Sequence, residues 1–261
     1  MAEQTAFSLL TSTSYSPARP AGDRFSLLHR HLARLGTAHA ALARRLPASW
    51  CAATPMPSDD ALHAELDRAV SEALTAAPER GDLRVRLSVL PSGQAKAEAF
   101  PLPPKPLYPV RLVLDDRPTE YTSPFLRHKT SLRAVYDSCR ARHGATLTPS
   151  PSRADPPFDV LMFNPARQVT ETSISNVAFR LGGGGGGGPD RAPWVTPAAT
   201  CGLLEGVMRA EMLERGEIVE GIVTVDEVCA AAERGSLEIL CFNGVRGSFK
   251  ACLVLEGERA G

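Results

Sequence analysis

A mixed α/β chain in two halves is what this sequence predicts, on three observations. Leu83, Val85, Leu87 and Val89 alternate with Arg84, Arg86 and Ser88, the period of a half-buried strand. Two other runs recur at helical spacing: Leu27, Leu28, His31, Leu32, Leu35, Ala38 and Leu42, then Leu62, Leu66, Val70 and Leu74. Residues 115–124 form a polar stretch with two prolines, a candidate hinge. The expected division is a small N-terminal α/β domain over 1–114, a linker over 115–124, and a larger C-terminal domain of mixed β with helices over 125–261.

Each half is long enough to enclose a core. Lysine plus arginine number 29 and aspartate plus glutamate 29, so no electrostatic footprint points to nucleic acid or an anionic membrane. The six cysteines (51, 139, 201, 229, 241, 252) form no CxxC pair and lack metal-spaced histidines. Neither a disulfide framework nor a zinc site is expected, and a reducing compartment fits. The first residues lack a basic segment followed by an apolar core, and no apolar run approaches membrane-spanning length. The expectation is a soluble cytosolic protein.

Taken in order, Phe7 to Tyr15 reads as a strand. Ser26 is expected to cap the first long helix, which Pro47 closes, and a second helix runs from about Ser58. Pro91-Ser-Gly93 reads as a hairpin turn after the alternating strand, with further strands at 94–100 and 107–114. Pro101 to Pro106 must be extended, because each proline fixes φ and removes an N–H. Lys129 stands at the head of an expected helix whose apolar side carries Leu132, Val135 and Tyr136. Phe158 to Phe163 reads as a buried strand, 164–168 as a turn, and Val169 to Leu181 as a returning strand. Gly182 to Gly188 is an uninterrupted glycine run of maximal chain entropy, expected as a floppy hairpin insertion rather than a phosphate loop. A short strand at Trp194 to Pro197 precedes a helix over Leu203 to Arg215, stopped by Gly216. Ile218 to Val223 is a strand, Thr224 to Glu227 a capping box, and 237–242 and 249–255 two closing strands around an Asn243-Gly244 turn.

Several residues carry chemistry in this frame, each beside an ordinary alternative. A lysine withdrawn from water at position 129 gains a free amine for covalent or proton-transfer work; otherwise it is a solvated lysine near a helix start. Glu171, among hydroxyls in its strand, can face a protonated ring nitrogen or simply point outward. The helix start around Gly206 offers free N–H groups to an anion. Arg34 can clamp a phosphate or sit on the surface of an amphipathic helix.

Read together, the order and spacing of these stretches resemble a known family. The runs His-Lys-Thr-x-x-Arg-Ala-x-Tyr (128–136), Val-Thr-Glu-x-x-x-Ser-Asn (169–176), Val-Thr-Pro (195–197) and Gly-Leu-Leu-x-Gly-Val-x-Arg (202–209) look like the class IV aminotransferases. These fold-type IV pyridoxal-phosphate (PLP) enzymes include branched-chain and D-amino-acid aminotransferases and aminodeoxychorismate lyase. The resemblance implies PLP held in the C-terminal domain, with Lys129 joined covalently to its aldehyde and Glu171 facing its ring nitrogen. By matched position, Arg34 and the backbone of Val207 and Met208 would bind the phosphate, and Leu204 would pack on the ring. Ile174 and Ser175 would lie at the cofactor-side turn after the glutamate. Asn243, Gly244 and Val245 would contact phosphate or a substrate carboxylate. A homodimer and a small amino substrate are implied, and no metal is expected.

Departures from the pattern bear on the reaction. Met208 stands where aminotransferases usually carry threonine and lyases methionine, and Arg133 again looks lyase-like. Ala134 replaces the tyrosine that branched-chain enzymes place five residues after the lysine. Ser14 stands where most relatives have arginine. The implied reaction is conversion of 4-amino-4-deoxychorismate to 4-aminobenzoate and pyruvate, a folate-pathway step, with Ser12 or Thr13 protonating the leaving group. The alternatives are a branched-chain or D-amino-acid aminotransferase and a non-catalytic scaffold relative.

Overall fold

The computed structural model describes residues 6–255 except 78, 80, 153 and 183–191. The expected glycine-run insertion lies almost wholly outside the described residues. By its internal contacts the chain forms two units. One holds the described residues up to Pro104 together with His128–Leu132 and Gly244–Arg246; the other holds Lys105–Arg127, Arg133–Asn243 and the chain from Gly247.

The first unit is a three-stranded antiparallel sheet with helices packed on it. Strand β1 (Leu9–Tyr15) is followed by helices α1 (Leu28–Arg45), α2 (Trp50–Ala53) and α3 (Asp59–Ala76), then β2 (Leu83–Val89) and β3 (Ala95–Pro101), in sheet order β1-β2-β3. The alternation along β2 buries Leu83, Val85, Leu87 and Val89 completely. Period-two patterning thus sets the face that the helices cover. Ser58 caps α3 as expected, its hydroxyl accepting from the Ala61 N–H. Ser26 does not cap α1. Leu27 takes that place in the left-handed region at φ 51°, while the Ser26 N–H and C=O bond to Ser14 and Thr13 of β1. The entry to α1 is therefore fixed by pairing with β1 rather than by a side-chain cap.

The second unit begins with β4 (Val110–Leu114) and continues through α4 (Pro124–Arg127), α5 (Ala134–His143), β5 (Asp159–Phe163), β6 (Val169–Thr172), β7 (Asn176–Arg180) and β8 (Trp194–Pro197). Helix α6 (Val207–Glu214), β9 (Ile218–Gly221), α7 (Val225–Glu233), β10 (Glu238–Asn243) and β11 (Gly247–Val254) complete it. The eight strands form one mixed sheet in the order β6-β5-β4-β11-β10-β7-β8-β9. Strand β4, placed before the hinge by the sequence, is an interior strand here, flanked in parallel by β5 and β11.

Both faces of this sheet are covered. Along β5, Leu161 and Phe163 pack into a cluster with Val225 and Val228 of α7, whereas Val160 and Met162 pack against Tyr136 and Cys139 of α5. A strand buried on both sides needs no polar alternation, which is why 158–163 reads as a continuous apolar run. The Thr224 capping box opens α7 as the sequence predicts. No helix among the described residues is long and apolar enough to cross a membrane.

Two expected elements differ. Lys129 does not head a helix: Thr130 bridges to Leu9, and α5 starts only at Ala134. The expected single strand over 169–181 is two, broken at 173–175, because Thr172 and Ser175 bond to one another locally. The Ser175 N–H donates to Thr172 Oγ1 at 3.0 Å and the Thr172 N–H to the Ser175 carbonyl at 2.8 Å. Hydroxyl side chains of this kind compete with ladder pairing.

Candidate functional site

In the first unit, strand β1 positions the chemistry. The Lys129 carbonyl accepts from the Leu10 N–H at 2.9 Å, and the Ser131 N–H donates to the Ser8 carbonyl at 3.0 Å. The lysine is thus pinned by its backbone to the sheet edge, leaving its side chain to be placed independently. Beside it, one turn of α1 presents His31 and Arg34, three residues apart and so on one face. Arg34 Nη2 donates to Thr11 Oγ1 at 2.6 Å, and Thr11 Oγ1 lies 2.6 Å from His31 Nδ1. His31 is wholly buried. Burial first, then the charges of Arg34 and Lys129, hold its pKa well below the ordinary value, so the imidazole is neutral.

Arg34 keeps some exposed surface, yet its Nε is enclosed and without a hydrogen-bond partner. Burial pulls its pKa down to about 10. No carboxylate pairs with it among the described residues. A guanidinium so placed is poised for an anion that arrives from outside the chain.

In the second unit, Glu171 is buried within β6. Its Oε1 accepts from the Tyr136 hydroxyl at 2.9 Å and from the Leu204 N–H at 3.1 Å. Burial, then the charge of Glu171, pushes the Tyr136 phenol well above its ordinary range and keeps it a donor. The Arg133 guanidinium lies over the Tyr136 ring, 4.7 Å from its centroid, and donates to the Ser173 carbonyl at 2.8 Å. Asn176 Nδ2 donates to the Leu204 carbonyl at 2.8 Å. Glu171 and Asn176 therefore grip the two polar groups of one peptide residue, and the half-buried Leu204 side chain is fixed by its main chain.

That grip sets the start of α6. Gly206 is the N-cap and offers no side-chain bond to the first-turn N–H groups at Val207 and Met208. A Cβ at Gly206 would overlap the Asn176 side-chain oxygen. Gly206→Ala should accordingly force Asn176 off Leu204 and cost about 1–3 kcal/mol, read as a fall in thermal midpoint. Unchanged stability would mean that Asn176 has room to shift. Ser175 and Ile174 join the same cluster: Asn243 Nδ2 donates to Ser175 Oγ at 3.0 Å and approaches the Ile174 carbonyl at 3.4 Å. Gly244 and Val245 form the turn between β10 and β11 and group with the first unit.

Of the two hydroxyls proposed for leaving-group protonation, Thr13 donates its proton to the Ser26 carbonyl at 2.7 Å, which commits it elsewhere. Ser12 alternates with Thr11 and Thr13 along β1 and so lies on the opposite face. Ser14 is buried at the end of the same strand. Thr11, His31, Tyr136 and Asn176 were not singled out by sequence. His31 and Tyr136 were counted as apolar-face residues, and the available signals were the His-x-x-Arg spacing and the tyrosine seven residues after the lysine. Elsewhere, Asp115, Asp116 and His143 bring three ligand-type atoms together, and Arg142 already pairs with both carboxylates.

This architecture is that of the fold-type IV PLP enzymes. The chain resembles the crystal structure of a putative amino-acid aminotransferase from Mesorhizobium loti with a TM-score of 0.70 and 29% identity, covering 95% of this chain and 100% of that one. The fold alone is shared with a putative 4-amino-4-deoxychorismate lyase from Legionella pneumophila, at TM-score 0.63 and 16% identity, covering 94% of this chain and 82% of that one. In sequence, a putative aminodeoxychorismate lyase of Schizosaccharomyces pombe is 30% identical over 238 residues, 90% of this chain and 87% of its own length. The family described as amino-transferase class IV matches residues 17–237. The chain belongs to that family, and it is a PLP-dependent enzyme.

The chemistry of these residues, each within its own unit, fits the cofactor. In the first unit Arg34 is an enclosed cation with no carboxylate partner among the described residues; in the second, the α6 N-cap is a glycine without a side-chain cap and Glu171 is a buried carboxylate that accepts from Tyr136 and the Leu204 N–H. Phosphate and a protonated ring nitrogen are the groups such sites accept.

Proposed function

We propose that this enzyme is a lyase converting 4-amino-4-deoxychorismate to 4-aminobenzoate and pyruvate. The observation that carries the choice of substrate is the 30% identity to the Schizosaccharomyces pombe putative aminodeoxychorismate lyase across most of both chains. Met208, where aminotransferases usually carry threonine, and the lyase-like Arg133 agree with it, and Ala134 departs from the branched-chain pattern.

Bound PLP supplies an electron sink for a carbanion beside nitrogen. In this reading Lys129 holds the cofactor aldehyde. With its amine free, Lys129 would take the proton from the ring carbon bearing nitrogen. Glu171 keeps the proton on the pyridine nitrogen, and Tyr136 with the Leu204 N–H hold that carboxylate in one orientation. Arg34 and the N–H groups of Val207 and Met208 bind the phosphate; Ile174, Ser175, Asn243 and Gly244 line the remaining contacts. The ring becomes aromatic as the enolpyruvyl C–O bond breaks, and protonation of the departing enol gives pyruvate. The balance closes without oxidant or water. A homodimer in the cytoplasm, serving folate synthesis, goes with this assignment.

The second reading is an aminotransferase for a branched-chain or D-amino acid, favoured by the 29% identity to the Mesorhizobium loti protein. Incubation of the pure protein with 4-amino-4-deoxychorismate should release 4-aminobenzoate, followed by its fluorescence. No release, together with conversion of bound PLP to the pyridoxamine form by an amino acid without added keto acid, would select transamination instead.

A further inference from the structure

The donor cluster in the first unit has an internal logic that the assignment of Arg34 alone leaves out. A guanidinium has no acceptor, so in the Arg34–Thr11 contact the threonine oxygen accepts. The Thr11 proton must then go elsewhere. The other polar atom placed within bonding distance is His31 Nδ1, at the same 2.6 Å, so the hydroxyl donates there. Nδ1 is then the acceptor nitrogen and the imidazole proton sits on Nε2. A protonated ring would turn Nδ1 into a donor and leave the Thr11 proton without that acceptor, in a buried place beside the charges of Arg34 and Lys129. The depressed basicity of His31 agrees.

We propose that Thr11 and His31 are positioning residues for phosphate recognition: the neutral imidazole orients the Thr11 hydroxyl, and that oxygen fixes the rotamer of Arg34. The proposal rests on the PLP assignment above. One further observation supports it. His31 Nε2 and Arg34 Nε are both enclosed and unpartnered, so the cluster holds donors in excess, and among the described residues no carboxylate quenches them. A carboxylate in the place of Thr11 would pair with Arg34 and compete with a phosphate, whereas a neutral hydroxyl steers the guanidinium and leaves its charge available. The histidine in turn prevents the hydroxyl rotor from turning, because its lone pair is the acceptor that closes the chain.

The test compares the dissociation constants of PLP and of pyridoxal, which lacks the phosphate, on the full-length apo-protein by absorbance and fluorescence. Thr11→Val should weaken PLP about tenfold while leaving pyridoxal unchanged, which is the effect of about 1.4 kcal/mol on phosphate binding alone. Thr11→Ser should restore the preference. His31→Leu should follow the valine variant, and His31→Asn, whose side-chain oxygen can replace Nδ1 as acceptor, should fall between. Equal weakening of both ligands, or no change in their ratio, would overturn the proposal in favour of a merely structural cluster. If the valine variant does not fold, ¹⁵N NMR of His31 in the wild-type apo-protein decides: Nδ1 bare and Nε2 protonated is expected, and a proton on Nδ1 refutes the chain of donors. A wild type that binds neither ligand would remove the cofactor assignment itself, a different failure from a wrong tautomer.

Discussion

Lys129→Ala should abolish turnover, by about 10⁴-fold or more, and remove the yellow absorbance of the covalently held cofactor. The fold should survive. Lys129 is tied to Leu10 of β1 through its carbonyl, and Ser131, two residues on, is tied to Ser8 just before β1 through both its N–H and its Oγ, contacts that the substitution leaves in place. A circular-dichroism spectrum and thermal midpoint like those of the wild type, beside a colourless and inactive protein, is the expected combination. Retained colour with residual activity near wild type would show that another amine carries the cofactor. A melted protein would show that the side chain serves the structure.

How far such a site can be read from sequence depends on the range of the forces that build it. The strand over Leu83 to Val89 and the helix capped by Ser58 are local statements, written in a period of two and in one hydroxyl, and they come through intact. The place of β4 is not local. Its partners β5 and β11 lie about 50 and 140 residues further along the chain, so nothing near Val110 marks which sheet it joins. The extended path of Lys129 has the same cause, since a bridge between Leu9 and Thr130 overrides the helical spacing of Leu132 and Tyr136. Within the site, Glu171, Arg34 and the Gly206 helix start were legible as chemical types in a motif order. The residues that orient them were not. Tyr136 and His31 look like core positions because their rings are buried, and only the tertiary fold shows that each spends one polar atom on a functional neighbour.

Glu171→Gln separates charge from position at the other half of the chemistry. The amide oxygen of glutamine can still accept from Tyr136 and from the Leu204 N–H, so the peptide grip on residues 204–206 should persist and the thermal midpoint should stay near that of the wild type. The negative charge is gone, and with it the force that keeps a proton on the pyridine nitrogen. Removing one preorganised electrostatic group of this kind lowers kcat about 10²–10³-fold, and that is the expected loss, with cofactor affinity reduced much less. Glu171→Ala should add a stability penalty, because it strands the Leu204 N–H, at about 1–3 kcal/mol, and leaves the buried Tyr136 hydroxyl with the longer contact to the Leu126 carbonyl at 3.4 Å. Tyr136→Phe should be the mildest of the three, about tenfold in kcat, since it deletes one donor and leaves the Leu204 N–H and the charge in place. A glutamine variant as active as the wild type would mean that Glu171 works only as a strut for Leu204. In that case the alanine and phenylalanine variants should both follow stability rather than chemistry.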